Sequence, residues 1–255
     1  MIQGACPVTS VEALGAEIYV VRLHSPRVAA SVLPGQFVNI RVNDSFEPLL
    51  RRPFSVYRVD HEEIELIFNV IGKGTSILST KRPGDTLDVI GPLGRPYVID
   101  DDYETALLVA GGLGVAPLPV VTEALRKMKR RIVTFLGGRT RDHIVARHLE
   151  NVYHATDDGS EGFHGTVVDL LRENLKRDGN GKSKIFACGP NRMLESLSQL
   201  AHEFGILCEA SLESAMACGI GICQGCPVER VGMGKKYSLI CKEGPVFDTR
   251  TIRVE

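Results

Sequence analysis

The pattern of apolar residues changes near residue 100, and this change limits the folds open to the chain. Residues 1–98 contain short β-branched runs separated by Gly and Pro turns, which predict a β-barrel or sandwich. From residue 103 onward, apolar strands such as Ala106–Ala110 alternate with helices and predict a parallel sheet. Residues 213–255 follow with little predicted regular structure. We therefore expect a multi-domain fold: a β-barrel domain (1–98), an α/β parallel-sheet domain (99–212) and a small C-terminal module (213–255).

Composition is that of an ordinary globular protein. The 255 residues suffice for one large or two ordinary domains with an appendage. Thirty basic residues against 31 acidic ones exclude an overall basic nucleic-acid-binding protein. The longest uncharged run, Thr105–Thr122, is broken by glycines and prolines, so it predicts a strand, a loop and a helix start rather than a membrane span. Because the N-terminus carries no secretory signal, we expect a cytoplasmic protein that binds neither nucleic acid nor membrane.

Four of the seven cysteines lie within 24 residues of one another. Their spacing is Cys218-x4-Cys223-x2-Cys226-x14-Cys241. This spacing matches the C-x4-C-x2-C pattern, with a distant fourth cysteine, of plant-type 2Fe–2S proteins, and small residues between the cysteines let the backbone approach the inorganic sulfides. A four-thiolate zinc site is the alternative, although zinc ribbons favour two C-x2-C pairs and this module has one. We expect Cys6 and Cys208 to be small buried residues.

Two motifs in the barrel region suit a flavin dinucleotide. Arg52-Pro53-Phe54-Ser55 opens a strand, and Gly72-Lys73-Gly74-Thr75 forms a turn before a short predicted helix over Ser76–Thr80. Backbone N–H groups at such a turn, assisted by the helix dipole, can hold a pyrophosphate. An arginine, an aromatic ring and a hydroxyl on the neighbouring strand complete what this ligand requires. Each motif alone also fits a surface arginine or a plain turn.

Two further motifs lie at the ends of predicted parallel strands. The loop Gly111–Pro117 follows the first strand and precedes a helix, where nucleotides bind, although it is not the GxGxxG fingerprint. The fourth strand ends in Cys188-Gly189-Pro190, where Cys188 fits either a nucleotide site or the core. Arg139 and Arg141 follow the second strand, where a 2′-phosphate could lie, so the residues leave both NAD and NADP open.

Together these motifs resemble those of the ferredoxin–NADP reductase superfamily, in which a flavin barrel precedes a pyridine-nucleotide domain. The resemblance implies a flavin contact for Arg52, Pro53, Phe54 and Ser55, with Ser55 in a catalytic position near the reactive edge of the ring. It implies that the FAD site is completed by Ile67, Phe68, Asn69, Gly74 and Thr75. It also implies that the nucleotide is bound by Gly111, Gly112, Gly114, Cys188, Gly189 and Pro190, with Cys188 as a second catalytic residue beside the nicotinamide.

The C-terminal module narrows the resemblance. Its motif is Glu213-Ser214-x-Met216-x-Cys218-Gly219-x-Gly221-x-Cys223-x-Gly225-Cys226, followed by Cys241-x-x-Gly244-Pro245-Val246-Phe247. This motif resembles that of the electron transfer subunits of type 1B dihydroorotate dehydrogenase. The loop Thr156-Asp157-Asp158-Gly159-Ser160 also fits this family.

The narrower resemblance implies a set of cofactors and a partner. The cofactors are FAD, one 2Fe–2S cluster and NAD as the terminal acceptor. The partner is an FMN-containing dihydroorotate dehydrogenase catalytic subunit, in a heterotetramer of two plus two that serves pyrimidine biosynthesis. Independently of the family, a one-electron carrier is redundant for direct hydride exchange, so the cluster predicts electron exchange with another protein. A subunit of a related ferredoxin/NADP oxidoreductase and a non-enzymatic zinc module are the alternatives.

Overall fold

The N-terminal unit is an antiparallel sheet that curves around one core. The computed structural model describes residues 1–15, 17–179, 181–232 and 234–254. The strands of this unit are β1 (Ile2–Gly15), β2 (Ile18–His24), β3 (Phe37–Arg41), β4 (Arg52–Ser55), β5 (Arg58–Asp60), β6 (Glu63–Asn69) and β7 (Thr86–Leu93). Their order is β4-β3-β7-β1-β2-β6-β5. The long strand β1 pairs with β7 over its first half and with β2 over its second half, which curves the sheet. The predicted barrel is confirmed as an antiparallel half-barrel.

Two short helices accompany this unit, α1 (Pro26–Ala29) and α2 (Lys73–Ser79). The helix α2 begins directly at the glycine turn, earlier than the predicted start at Ser76. The side chain of Thr75 explains this, because its Oγ1 accepts hydrogen bonds from the N–H groups of Ile71 (3.0 Å) and Gly72 (3.2 Å). The turn and the helix are therefore one structure.

The second unit is a parallel sheet covered by helices on both faces, as predicted. Its strands are β8 (Thr105–Gly111), β9 (Arg131–Gly138), β10 (Val152–Thr156), β11 (Phe163–His164), β12 (Ser183–Cys188) and β13 (Leu207–Ser211). Its helices are α3 (Leu118–Lys127), α4 (Val167–Asp178) and α5 (Asn191–Glu203). The strand order is β11-β10-β9-β8-β12-β13. From β8 the sheet is extended on one side by β9, β10 and β11 and on the other side by β12 and β13, so the strand order reverses at β8. Ligands of such sheets bind at the carboxyl ends of the strands beside this point. Among the described residues, no helix is long and apolar enough to span a membrane.

The C-terminal module contains more regular structure than the sequence predicts. It comprises β14 (Pro227–Glu229), β15 (Tyr237–Leu239), α6 (Ile240–Glu243) and β16 (Val246–Asp248). The strand β16 joins the parallel sheet as an antiparallel edge strand beside β13. Just before it, the carbonyl of Gly244 accepts a hydrogen bond from the N–H of Arg95 (2.6 Å), and that of Pro245 accepts one from Leu212 (2.9 Å). The strands β14 and β15 pair with each other, whereas β16 pairs with β13 of the parallel sheet. Strands of three residues are too short to show a hydrophobic period in the sequence.

Buried polar contacts hold the connection between the two large units. The hydroxyl of Tyr97 donates to the carbonyl of Ala187 at 2.7 Å. The ammonium of Lys184, which is 1% exposed, donates to the carbonyl of Val98 at 2.6 Å. It also forms ion pairs with Asp101 and with Glu209, the latter at 3.2 Å. The connecting segment is thus fixed to strands β12 and β13.

Candidate functional site

The four cysteines of the C-terminal module form two pairs. Cys226 and Cys241 are buried, and their Sγ atoms lie 3.2 Å apart. Cys218 and Cys223 are more exposed, and the N–H of Cys223 donates to the Sγ of Cys218 at 3.4 Å. Two thiolates bound to one tetrahedral metal at about 2.3 Å lie about 3.8 Å apart, so the sulfurs of Cys226 and Cys241 are near the separation that one metal ion requires. The fold therefore brings together all four cysteines that the spacing singled out.

Backbone N–H groups of the loop point at the exposed sulfurs. The Sγ of Cys218 accepts a second hydrogen bond from Ile220 at 3.5 Å, and the Sγ of Cys223 accepts one from Gly225 at 3.4 Å. Burial raises the pKa of the Cys218 thiol, but the N–H donors of Cys223 and Ile220 outweigh this and lower the pKa to about 6. Cys218 is therefore a thiolate at neutral pH, the form that binds metal.

The two pairs supply the four thiolates that a two-iron cluster requires. Two separate thiolate pairs are what two irons bridged by sulfides need. Hydrogen bonds from the backbone to the ligand sulfurs also tune the potential of such a cluster.

The two flavin motifs lie against each other. A Cβ atom added to Gly74 would lie 2.6 Å from the Nε of Arg52, so the guanidinium packs on the glycine turn that opens α2. This places a permanent positive charge beside the backbone N–H groups of the turn. Such a combination binds phosphate strongly, since the arginine hydrogen bonds are charge-assisted. Residues 22 positions apart in the sequence thus form one candidate anion site.

The remaining predicted flavin residues differ in what they can offer a ligand. Phe54 and Phe68 form an edge-to-face pair in the barrel core with ring centroids 5.9 Å apart, so mainly their backbone remains for a cofactor. Ile67 lies on the opposite face of β6 and packs with residues of the parallel-sheet unit. Ser55 and Asn69 end β4 and β6, are only partly buried, and are reachable by a bound molecule.

The two nucleotide motifs form one surface at the carboxyl ends of β8 and β12, which are neighbours in the sheet. Gly114 lies on the backbone of Cys188, because a Cβ there would overlap the carbonyl of Cys188. Gly111 lies on Pro190, where a Cβ would be 3.0 Å from the Cδ atom. The same Cβ would be 2.7 Å from the Sδ of Met193, a neighbour that sequence reasoning did not identify.

Gly112 differs from the glycines beside it. Its φ is +55°, and a Cβ there would point into open space. Gly112 is therefore where a ligand can approach the backbone, whereas the protein's own packing already requires Gly114 to be small.

Cys188 is a neutral thiol at the centre of this surface. Burial raises its pKa well above the usual range, the carboxylate of Glu213 raises it further, and a hydrogen bond with Ser211 only partly offsets both effects. Glu213 is exposed at the surface, but the protein around its carboxyl group partly desolvates it. This desolvation raises the pKa of Glu213. Cys188 therefore offers a small, uncharged group rather than a nucleophile.

The fold and these sites define a class: a flavin- and pyridine-nucleotide-binding oxidoreductase with the ferredoxin reductase architecture and an added iron–sulfur module. Family models match in the same order. They are an oxidoreductase FAD-binding domain (residues 5–97), an oxidoreductase NAD-binding domain (108–199) and the iron–sulfur cluster binding domain of dihydroorotate dehydrogenase B (213–253).

Curated relatives specify the family. The electron transfer subunit of dihydroorotate dehydrogenase B (NAD+) from Desulforamulus reducens is 36% identical, with 94% of each chain covered. The subunit of the same name from Fusobacterium nucleatum is 33% identical, with 98% of each chain covered. The chain belongs to the family of electron transfer subunits of NAD-dependent dihydroorotate dehydrogenase B. It is a flavin oxidoreductase subunit that binds FAD, NAD and an iron–sulfur cluster.

Solved structures share the fold. A structure of NADH-dependent reduced ferredoxin–NADP oxidoreductase is similar with a TM-score of 0.86 and 31% identity, covering 98% of this chain and 90% of that one. A ferredoxin NADP+ reductase from Neisseria gonorrhoeae, with bound FAD and NADP, has a TM-score of 0.66 and 14% identity over 82% of this chain and 99% of that one. At that identity, only the fold is shared.

Proposed function

We propose that this chain passes electrons from the FMN of a dihydroorotate-oxidising partner through a 2Fe–2S cluster and FAD to NAD, in pyrimidine biosynthesis. The observation that carries the proposal is the presence of two cysteine pairs in a chain that also holds a flavin site and a nucleotide site. Hydride exchange between a bound substrate and NAD needs no one-electron carrier, so the cluster serves exchange with another protein. The names of the curated relatives supply the reaction.

Arg52 and the turn at Gly74 hold the pyrophosphate of FAD, supported by the packing of the guanidinium on that turn. Thr75 acts through the turn, since its hydroxyl already binds the backbone there. Ser55 would lie near the reactive edge of the ring, and the flavin would further contact Pro53, Asn69 and the backbone of Phe54, Ile67 and Phe68. When bound, FAD exchanges a hydride with NAD and single electrons with the cluster.

The nicotinamide nucleotide lies over Gly112, at the surface formed by Gly111, Gly114, Gly189 and Pro190. Cys188 would pack beside the nicotinamide as a neutral thiol, which excludes water and does not attack the ring as a thiolate could. Desolvation raises the pKa of Glu213 beside it, which disfavours negative charge at the site. Together these residues orient the ring and keep the site dry.

The cluster is bound by Cys218, Cys223, Cys226 and Cys241, with the exposed Cys223 toward the partner. The partner is the FMN-containing catalytic subunit, in a heterotetramer of two plus two. We place the domain boundaries at 98/99 and 212/213. We place the complex in the cytoplasm, since a reducing compartment keeps cysteine thiols available for a cluster.

A reconstitution experiment tests the proposal. The isolated chain should oxidise NADH with artificial acceptors and show no activity on dihydroorotate. Mixed with an FMN-bearing catalytic subunit, it should support NAD-dependent conversion of dihydroorotate to orotate. Activity of the chain alone on dihydroorotate, or a mixture that leaves NAD unreduced, would contradict the proposal.

A second candidate function is that of a subunit of a ferredoxin/NADP oxidoreductase. It is favoured by the 31% identity of this chain to the chain in the structure of NADH-dependent reduced ferredoxin–NADP oxidoreductase. Arg139 and Arg141 support it, since both follow β9 at the carboxyl edge of the sheet, where a 2′-phosphate would lie. The acidic Asp158 lies in the same place, because its N–H donates to the carbonyl of Arg139 at 3.2 Å. Comparison of kcat/KM for NADH and NADPH, together with the protein that copurifies from native lysate, separates the two candidates.

A further inference from the structure

Asn39 lies on β3 of the half-barrel, and its side chain points out of the barrel toward the C-terminal module. It is completely buried, and its Nδ2 donates to the backbone carbonyl of Cys218 at 3.1 Å. Its neighbours Val38 and Ile40 pack in the barrel core, so strand alternation directs Asn39 outward. In the sheet, Asn39 is in register with Pro53 of the flavin motif. One residue therefore touches both the flavin barrel and the cysteine loop.

The cysteine loop is shaped to this amide. Gly219 follows Cys218 with φ +69°, a conformation that favours glycine, and a Cβ there would overlap the Nδ2 of Asn39. The loop can approach β3 this closely only because residue 219 has no side chain. The hydrogen bond and the close contact both involve the Nδ2 of Asn39, and both hold the peptide between Cys218 and Gly219.

The other end of the amide has no partner within the described part of the chain. The Oδ1 of Asn39 is buried and accepts no hydrogen bond there. Rotating the amide would not help, because Oδ1 would then face the carbonyl of Cys218. An iron–sulfur cluster offers only acceptors, so the single hydrogen bond of this amide within the described residues is the one to the carbonyl of Cys218.

We propose that Asn39 is a positioning residue that locks the cluster loop to the flavin barrel and so sets the placement of the cluster relative to the flavin. The inference rests on Cys218 being a cluster ligand, as proposed above. The Sγ of Cys218 accepts hydrogen bonds from Ile220 and Cys223, whose peptides follow the anchored carbonyl. Releasing that carbonyl therefore also changes the hydrogen bonds to a ligand sulfur, and with them the cluster potential.

The test uses the full chain loaded with FAD and cluster. Asn39→Leu keeps the side-chain volume and removes the hydrogen bond. We expect unchanged flavin and iron contents, an altered paramagnetic spectrum after dithionite reduction, and cluster reduction by NADH slowed up to about tenfold, because one buried hydrogen bond is worth about that factor in the occupancy of the loop position. Asn43→Leu is the matched control, since its Nδ2 donates to the carbonyl of Glu47 (3.2 Å) within its own loop.

Gly219→Ala addresses the same contact from the other side. It should alter the spectrum in the same way as Asn39→Leu, and in an Asn39→Ala background its additional effect should be smaller, because the clash is gone. If Asn39→Leu fails to fold, Gly219→Ala with and without Asn39→Ala decides: an effect of Gly219→Ala that shrinks in the Asn39→Ala background supports the proposal, and an unchanged effect overturns it.

Three results contradict the inference. They are an Asn39→Leu protein that matches Asn43→Leu in spectrum and rate, additive effects in the double variant, and loss of FAD with an unchanged cluster. If the unsubstituted protein contains no iron and sulfide, the cluster assignment itself is wrong and the inference falls with it. A different partner or nucleotide would contradict the proposed function but leave these measurements intact.

Discussion

The cysteine loop and the nucleotide surface are built in different ways. In the cysteine loop, three of the four proposed ligands and the N–H donors to Cys218 and Cys223 come from residues 218–226. In the nucleotide surface, Gly114 and Cys188 meet only because β8 and β12 are neighbours in the sheet. The local site depends on spacing, and the assembled site depends on the fold. Substitutions in the cysteine loop should therefore change function with little effect on the free energy of unfolding. Substitutions elsewhere should change both.

The largest effect should come from the cluster ligands. Serine at Cys223, Cys218, Cys226 or Cys241 should abolish or reshape the paramagnetic signal of the reduced protein and stop NAD reduction by dihydroorotate in the complex. Cys6→Ser is the control, since Cys6 packs in the half-barrel core. A loss of the paramagnetic signal in Cys6→Ser as large as in the ligand variants would contradict the assignment of the cluster to the cysteine loop.

The buried Lys184 should show the opposite behaviour, with an effect on stability first. Lys184→Met leaves the buried Glu209 without its cation, so we expect a loss of about 3 kcal/mol in the free energy of unfolding, measured with denaturant. Lys182→Met is the matched control, because the ion pair of Lys182 with Asp102 is exposed and worth less than about 1 kcal/mol. Similar losses in the two variants would contradict the structural role of the buried network.

The flavin site lies between these cases, since two local motifs meet there. Arg52→Ala removes charge-assisted contacts worth about 1.5–3 kcal/mol, so FAD should bind roughly 10- to 150-fold more weakly in a flavin titration. Arg51→Ala provides the comparison, because Arg51 is bound to Asp88 on β7. Equal weakening of FAD binding by the two substitutions would count against the anion site. If the protein releases FMN rather than FAD, the anion site at Arg52 and Gly74 does not bind a pyrophosphate.

The smallest effects should come from two nearby glycines that differ in kind. Gly114→Ala overlaps the Cys188 backbone and should lower the free energy of unfolding by about 1–3 kcal/mol. A bulky residue at Gly112 faces open space, so it should mainly raise the KM for NADH while cluster content is kept. Unchanged kinetics with NADH in the Gly112 variant would contradict the placement of the nucleotide.

The sequence by itself determined the half-barrel, the parallel sheet, the four cysteines and the glycine turn before α2. These features depend on periodicity and on spacing within a few residues, which a linear chain displays directly. The family motif that includes Gly244-Pro245-Val246-Phe247 could also be recognised in the sequence, but its structural role could not be predicted from it. Only the structure shows it as the start of an edge strand that ties the module to β13 and to the barrel.

Only the tertiary structure decided which residues meet across long separations. It placed Arg52 on Gly74, Gly114 on Cys188, Lys184 on the connecting segment, and Asn39 on the loop at Cys218. Asn39 and Lys184 look like ordinary polar residues in or beside apolar strands, because burial and hydrogen-bond partners depend on neighbours that lie up to 179 positions away. Local patterns carry no information about such neighbours, since the packing of whole units, and not the preference of any one segment, selects them.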